Sequence, residues 1–336
     1  MTGEGNAAAP VRTRKPRQLA LWLVMVFLWL ALFALIWQRQ TLADWWRLRD
    51  YSPPTQIAQL ADDTTMNALG RKLFYVYKPR IEPSSEFNQH CKGGGQEFTI
   101  VLGCYVSKTG IYLFSIEDER LHGIEQVTAA HEMLHVAYER LSAKERAHID
   151  VLTKQAYAKV TNERIRKNVE QYRAASSAIV PNELHSILGT EEADLPDELE
   201  QYYARYFDDR SKIVAYSQRY EDEFTRREQA TLDYSRQLSE LRTQIDNNTN
   251  TLKVRAAALQ KEYESIESSR GDLGYAELNR RARAYNASVA AYNQLAEQTK
   301  SQIEQYNAVV EKYNAVVLEQ RELYRAIDSS PETIDQ

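Results

Sequence analysis

The spacing of hydrophobic residues divides the chain into three regions. Leu19 to Trp37 is a run of 19 residues that carries no charge. Between 55 and 207, shorter apolar stretches are separated by polar breaks, as in a folded domain. From Asp208 onward the sequence is rich in charged residues and glutamine, and its apolar residues recur at a regular interval. The pattern therefore predicts an apolar helix, a compact domain and a pair of long helices, in that order.

The first apolar run is long enough to cross a membrane. A helix rises 1.5 Å per residue, so about 20 residues cover about 30 Å of hydrocarbon. Four basic residues lie between 12 and 17 and three between 39 and 49, and this excess favours a cytoplasmic amino end. We therefore expect a cytoplasmic tail at 1–18, a transmembrane anchor at 19–37, a linker at 38–54 and the bulk of the chain outside the cytoplasm. A cleaved signal peptide is the alternative, but the run is longer than is usual for one, and no small-x-small cleavage site follows it.

Residues 55–207 show the pattern of a small sheet followed by helices. Phe98–Val106 and Gly110–Ile116 are apolar, β-rich runs, and the three residues between them predict a hairpin turn. Ser142 and Glu145 form a capping box for a further helix. Other helices are expected at Glu163–Ala174, around Glu183 and at Glu198–Phe207. The region is long enough to bury a core of its own.

Beyond Asp208 the apolar residues form two seams of the kind that pair helices in a coiled coil. The first seam recurs every seven residues, at Leu238, Ile245, Leu252, Leu259 and Ile266. The second contains tyrosines that are each followed by asparagine, at 285, 292, 306 and 313, which we interpret as packing residues rather than a ligand site. Residues 269–274 have the composition of a turn. We expect an antiparallel helical hairpin over 208–326, with arms of about 50 residues and roughly 75 Å, and a disordered tail at 327–336; parallel dimerisation of the arms is the alternative.

The patterns together predict a mainly α fold with a small β-sheet. An α+β domain would lie between one transmembrane helix and a long antiparallel helical-hairpin coiled coil. The net charge is −5, and no basic patch lies in the chain beyond the first helix. We therefore expect no binding to nucleic acid.

The two cysteines of the chain predict a disulfide. Cys91 and Cys104 bracket a glycine-rich turn that enters the first predicted strand. In an oxidising compartment a bond between them would close a short loop and stabilise the fold by about 3 kcal/mol. A metal site built from His90, Cys91 and Cys104 is the alternative, but the chain has no C-x-x-C spacing to favour it.

The candidate chemistry lies in the segment HEMLH, residues 131–135, within an otherwise uncharged predicted helix. Residues four apart lie about 40° apart around a helix, so the imidazoles of His131 and His135 can converge on one metal ion. Glu132 projects about 100° away from His131, which keeps its carboxylate off the metal but within reach of a water bound there. This arrangement predicts a zinc site with Glu132 as general base. The alternative is an ordinary helix that carries the three side chains without a metal.

The motif resembles that of the zincin metallopeptidases. Tyr138 stands where the metzincin extension of the motif requires glycine, and Leu141 stands where it requires a third histidine. The segment PNELHS, residues 181–186, resembles the ligand helix of the gluzincin branch, with Pro181 suited to a first turn and Gly189 to the residue past the end. The resemblance implies that Glu183 is the third ligand of a Zn²⁺ cofactor.

His185 competes with Glu183 for this position. Side chains two residues apart in a helix point about 200° apart, so only one of the two can face the metal. His185 would otherwise support the ligands or the transition state, or lie on the helix surface. Tyr202, Tyr203 and Tyr206 follow in a later helix, and we interpret them as packing residues.

The resemblance implies a membrane-anchored, extracytoplasmic zinc metallopeptidase, held by a single span, that hydrolyses a peptide or protein substrate by metal-activated water. In zincins a small sheet precedes the zinc helix, and its edge strand lines the cleft, where it can pair with an extended peptide. The alternative is an inactive zincin-like scaffold or tether that acts through its coiled coil, on a protein partner or by self-association. The presence of Glu132 favours the peptidase.

Overall fold

The computed structural model describes residues 16–91 and 102–330 of the chain. The described part is mainly helical, with one small sheet and a long pair of helices at its carboxyl end, which confirms these features of the predicted fold class. Its helices are α1 Pro16–Trp37, α2 Arg39–Leu48, α3 Thr55–Asp63, α4 Ala68–Tyr75, α5 Ser84–His90, α6 Ile124–Glu139, α7 Ala143–Tyr157, α8 Glu163–Ala175, α9 Val180–Glu191, α10 Asp197–Tyr203, α11 Ser211–Ser268 and α12 Tyr275–Ala326. Its strands are β1 Arg80–Glu82, β2 Gly103–Val106 and β3 Gly110–Phe114, and a 3₁₀ turn at Glu119–Leu121 precedes α6.

The sheet has the order β1-β3-β2, so that β2 lies at an edge. β2 and β3 pair antiparallel, with Cys104 opposite Tyr112, as the predicted hairpin requires. β3 ends at Phe114 rather than at Ile116, because the N–H of Ile116 leaves the sheet to donate to the carboxylate of Glu125. The first part of the predicted strand, residues 98–101, lies outside the described residues. β1 was not predicted; it is three residues long and pairs parallel with β3.

The disulfide is confirmed: Cys91 at the end of α5 is bonded to Cys104 in β2, with their Cα atoms 6.0 Å apart. This bond removes both sulfurs as ligands, so the alternative metal site at this position is wrong. His90 instead lies with Nδ1 2.8 Å from the buried Glu82 carboxylate, and its ring stacks on Tyr112 at 4.1 Å between centroids. The disulfide therefore links the edge strand β2 to α5, the helix that packs against the sheet.

α6 crosses the centre of the domain and is buried on almost every side. It packs against α9, α4, α3, the first turns of α11 and the strands β2 and β3. Met133, Leu134 and Val136 are fully buried, and Ala129 and Ala130 let neighbouring elements approach closely. A helix that is apolar all round needs this central position, because no side of it can face water.

α9 runs from Val180 to Glu191, with Pro181 in its first turn as predicted. Gly189 does not end the helix but lies inside it, where α9 meets α6. A Cβ atom at Gly189 would lie 2.5 Å from Leu134 Cδ1 and 2.7 Å from Tyr203 Cε1. The glycine therefore serves close helix packing, and the prediction that it ends the helix is wrong.

The two helices that directly follow α6 begin at side-chain caps. Ser142 caps α7 and forms the predicted capping box with Glu145. Asn162 caps α8 by accepting hydrogen bonds from the N–H groups of Arg164 and Ile165. These caps satisfy amide groups that have no partner within the helix.

α11 and α12 form an antiparallel hairpin, 58 and 52 residues long. The ring of Phe224 contacts that of Tyr324 near the domain, and Tyr263 contacts Tyr285 near the tip. The predicted seam residues of α11 and the four tyrosines of α12 are half-buried between the helices, whereas the asparagines after those tyrosines are exposed. The tyrosines thus pack in the seam as interpreted from the sequence.

The start of α11 and the end of α12 both pack into the domain. Ile213 and Val214 of α11 belong to the domain core, and Leu323 of α12 packs with Ile327 against Leu121 and Ile124. Ile327, the first residue of the predicted disordered tail, is thus buried. The Ser84 hydroxyl donates to the carbonyl oxygen of Ser329 at 3.0 Å, and residues 331–336 lie outside the described part.

The amino-terminal helix α1 covers the whole of the predicted anchor at 19–37. Its described side chains include large apolar residues that are exposed, among them Trp22, Phe27 and Trp29. Within the described residues, no helix has the combination of length and hydropathy required for a membrane span. Residues 1–15 of the predicted cytoplasmic tail, and the side chains at 16–19, 31 and 33–37, lie outside the described ones.

The predicted linker contains a helix, α2, that is joined to α6 by a buried ion pair. Arg140, which follows α6, donates two hydrogen bonds to the carboxylate of Asp44, at 2.7 and 2.9 Å. Asp44 is buried, and Lys72 Nζ lies 3.5 Å from the same carboxylate. Burial by itself would lower the pKa of Arg140, but the hydrogen bonds and charge of Asp44 raise it above its ordinary value. The bidentate pair therefore fixes α2 against the carboxyl end of α6.

Replacing Gly189 with alanine should lower the free energy of unfolding by about 1–3 kcal/mol, because the added methyl group overlaps Leu134 and Tyr203. Gly271, in the turn between α11 and α12, has nothing within 4 Å of an added Cβ and provides the matched control. Urea unfolding followed by circular dichroism measures both variants. Equal stability of Gly189→Ala and Gly271→Ala would contradict the close α6–α9 contact.

Asp44→Ala should lower the free energy of unfolding by about 3 kcal/mol, because it leaves the Arg140 guanidinium largely buried without its anion. Asp50→Ala is the control: among the described residues Asp50 pairs only with its exposed neighbour Arg49, so its loss should change stability by about 0.5 kcal/mol or less. The same unfolding assay compares the two. A loss below about 1 kcal/mol for Asp44→Ala would show that α2 is not held by this pair.

Candidate metal centre

α6 presents His131 and His135 one turn apart on the side that α9 covers. Their rings lie 4.7 Å apart between centroids and are nearly perpendicular, with an angle of 81° between their planes. The side chain of His135 is buried and that of His131 is mostly buried. The four-residue spacing of the motif thus places the two imidazoles next to each other in the interior of the domain.

α9 brings the carboxylate of Glu183 to the same place. Glu183 Oε2 lies 3.6 Å from His131 Nε2 and 3.7 Å from His135 Nε2. These distances are longer than hydrogen bonds. A tetrahedral zinc ion with bonds of 2.0–2.1 Å holds its ligand atoms about 3.4 Å apart. The distances from Glu183 Oε2 to the two imidazole nitrogens are therefore close to the spacing that one zinc ion would require.

The surroundings of the Glu183 carboxylate indicate whether a zinc ion would fit between these side chains. Its Oε2 atom is buried and accepts no hydrogen bond from any described residue. Burial raises the pKa of Glu183, but the nearby imidazoles of His135 and His131 outweigh burial and hold the pKa below its ordinary value. An ionised carboxylate in a protein interior is stable only beside positive charge. Two imidazole nitrogens and one carboxylate oxygen are also the donor set of many catalytic zinc sites.

His185 lies on the opposite side of α9, away from this centre. It is fully buried; its Nε2 is 2.8 Å from the hydroxyl of Tyr202, and its ring packs among Tyr138, Tyr202 and Tyr203. Burial, together with the charges of His135 and His131, lowers the pKa of His185 to about 3. Glu183 rather than His185 therefore faces the two imidazoles, and the tyrosines pack around a neutral histidine.

Ser186 supports His135, a role that sequence reasoning missed. Its Oγ atom lies 3.2 Å from His135 Nδ1. If Nδ1 donates its proton to this oxygen, Nε2 carries a lone pair that a metal ion held beside Glu183 would accept. Ser186 follows Glu183 by three residues and so shares its side of the helix, which is the sequence signal that could have identified it.

Glu132 lies beside the centre, between α6 and the edge strand β2. Its carboxylate and the two imidazoles offer ligand atoms that all lie within 4.8 Å of one another. Burial raises the pKa of Glu132, and the charges of His135 and His131 offset this only in part. A Cβ atom at Gly103 would lie 2.9 Å from Glu132 Oε1, so glycine is what lets β2 pass this close. Sequence spacing cannot show this contact, because it depends on how the strand packs on the helix.

The centre opens into a cleft of about 950 Å³ that His131 and Glu132 line. Gly103 of β2 forms part of one wall, and α8 contributes Arg164, Lys167 and Gln171 to another. The remaining wall comes from the end of the helical hairpin that meets the domain. A cleft of this size can bury a ligand as large as a short peptide segment.

The chain matches no protein-family model, no curated protein and no solved structure. The resemblance to gluzincins thus rests on the residues of the motif, on Glu183 and on the geometry described above.

Glu183→Ala should weaken zinc binding by at least about 100-fold, because loss of a ligand exceeds the 10- to 100-fold effect of losing a group that only supports one. His185→Ala should retain about one zinc per chain, because His185 faces the tyrosines and not the centre. Zinc content and affinity are measured on the metal-loaded chain of 336 residues, with circular dichroism to verify that each variant is folded. Loss of zinc in folded His185→Ala but not in Glu183→Ala would reverse the assignment.

Proposed function

We propose that this protein is a zinc metallopeptidase of the gluzincin type, with Zn²⁺ held by His131, His135 and Glu183. The observation that carries the proposal is the convergence of Glu183 Oε2 on both Nε2 atoms, at 3.6 and 3.7 Å, in a buried position that opens into a cleft. A structural zinc site would have four protein ligands and no cleft. Three ligands beside a cleft favour catalysis instead.

The bound metal would supply Lewis-acid polarisation of the scissile carbonyl and would lower the pKa of water. Glu132 is the group placed to move the proton. Its carboxylate accepts a proton from the attacking water as the new C–O bond forms, and it donates that proton to the amine nitrogen as the C–N bond breaks. Because Glu132 is buried beside the imidazoles and not exposed to solvent, the proton it accepts is not lost to bulk water.

The edge strand β2 supports an extended peptide as substrate. β3 pairs with one side of β2, and within the described residues no strand pairs with the other. Gly103 of β2 lies beside Glu132, and the disulfide fixes the next residue of the strand, Cys104, to the end of α5. A peptide chain that adds to this edge by main-chain hydrogen bonds would pass the metal centre.

Two observations support an extracytoplasmic protein anchored by α1. The exposed tryptophans and phenylalanine of α1 form a larger apolar surface than monomeric soluble proteins usually show. The disulfide between Cys91 and Cys104 suits an oxidising compartment. We therefore propose a single membrane span with its amino end in the cytoplasm and the metal centre outside.

A scaffold or tether that acts through the hairpin is the second candidate function. The specific observation in its favour is that three large apolar side chains of α11 and α12, Leu232, Val254 and Leu318, are more than half exposed. A protein partner or a second copy of the chain would cover such side chains. In this case the zincin-like domain would bind metal without turnover, or would bind no metal.

Glu132→Gln should lower the rate of hydrolysis of an unfolded protein such as casein by about 10²–10⁴-fold, the usual contribution of a general base. Zinc content should stay at about one per chain, because Glu132 is not a ligand in this arrangement. Glu170→Gln, on the exposed side of α8, is the matched control and should retain full activity. Hydrolysis that survives in Glu132→Gln would remove the proposed role of Glu132, and a folded wild type that binds no zinc would leave the scaffold as the better account.

A further inference from the structure

The end of the hairpin that meets the domain forms one wall of the cleft. Its apolar lining residues are Tyr220 and Phe224 of α11, Tyr324 of α12 and Ile327, a group that we call the hairpin root, and Glu221, Thr225 and Glu228 of α11 line the cleft beside them. All four residues of the hairpin root line the same cleft as His131 and Glu132. The hairpin is therefore part of the metal-site cleft and not only a spacer attached to the domain.

The hairpin root presents aromatic surface to the cleft. The rings of Phe224 and Tyr324 lie 5.3 Å apart between centroids, and Tyr324 is 48% exposed although it is large and apolar. Beneath them, Leu323 and Ile327 are buried against the 3₁₀ turn and the start of α6. The exposed ring of Tyr324 and the half-buried ring of Phe224 thus pack on a buried apolar base.

One guanidinium fixes the hairpin root relative to the metal centre. Arg164 of α8 forms ion pairs with Glu191 of α9 at 2.6 Å and with Glu221 of α11 at 3.2 Å. The same guanidinium lies over the ring of Tyr220, 5.8 Å from its centroid. Because α9 also carries Glu183, the metal ligand and the apolar wall are held by the same contact.

The wall contributed by α8 has different chemistry. Lys167 and Asn168 are polar, and Gln171 Oε1 is a buried acceptor to which no described residue donates a hydrogen bond. An extended peptide has main-chain N–H groups that suit such an acceptor and side chains that alternate between its two sides. The wall from α8 thus suits the polar backbone of a ligand, and the hairpin root suits one of its apolar side chains.

We propose that the hairpin root is a subsite of the cleft that takes a large apolar side chain of the substrate, next to the bond that is cut. This inference rests on the proposed peptidase function and identifies the substrate class for it. Burial of an aromatic or long aliphatic side chain against Phe224 and Tyr324 removes apolar surface from water on both partners. The coiled coil then selects substrate as well as extending from the domain.

The test uses two synthetic dipeptide hydroxamates that differ only in one side chain, benzyl in one and methyl in the other. The hydroxamate group binds zinc, so each compound places its side chain beside the metal without any need for turnover. Affinities are measured by calorimetry on the zinc-loaded chain of 336 residues in mild detergent. The wild type should bind the benzyl compound about tenfold more tightly than the methyl compound.

Tyr324→Ala should reduce this preference to about two- to threefold, and Tyr324→Phe should restore it, because the ring and not the hydroxyl forms the surface. Tyr275→Ala is the matched control: Tyr275 begins α12 at the far tip of the hairpin and is 84% exposed. It should leave the preference at about tenfold. Zinc content is measured on every variant in parallel.

The outcomes separate the subsite from the metal centre. Zinc binding with equal affinity for both compounds, or with affinity for neither, would overturn the subsite and leave the metal centre standing. The same loss of preference in Tyr275→Ala as in Tyr324→Ala would also overturn it, because the effect would not be local to the root. Absence of zinc and of hydroxamate binding in folded wild type would refute the metal centre, and the subsite with it.

Discussion

The carboxylate of Glu183 is buried between two imidazoles, and an ionised carboxylate is stable in a protein interior only when positive charge accompanies it. Much of the domain is arranged around this constraint. α6 and α9 must approach closely for Glu183 to reach His131 and His135, and Gly189 makes that approach sterically feasible. A zinc ion at this point would add positive charge beside the carboxylate, so metal binding and helix packing would stabilise each other.

The same two helices organise what surrounds the centre. The carboxyl end of α6 is held to α2 by the pair of Arg140 and Asp44, and α9 ends at Glu191, which pairs with Arg164. Through Arg164 the hairpin becomes a wall of the cleft, because the same guanidinium also binds Glu221 of α11. The regions before and after the domain are thus attached to the two helices that carry the proposed metal ligands. In the proposed subsite, this attachment is what would let the coiled coil influence which ligand the cleft accepts.

Prediction from the sequence succeeded where the signal is local. The capping box at Ser142 and Glu145, the hairpin of β2 and β3, the heptad seam and the bond between Cys91 and Cys104 each depend on residues close in the sequence or on a repeating interval. It failed where a contact joins distant segments. β1 is only three residues long and exists because β3 pairs with it, and Gly189 has the composition of a helix end but the environment of a helix crossing.

For the candidate site, the sequence by itself determined that His131 and His135 share a helix face with Glu132 beside them, because 3.6 residues per turn requires it. It also determined that only one of Glu183 and His185 could face a metal, since the two point in opposite directions from the same helix. Only the tertiary structure decided which one. The rotation of α9 about its own axis turns Glu183 toward the imidazoles and His185 toward Tyr202. This rotation depends on the elements against which a helix packs and not on the spacing of its own residues.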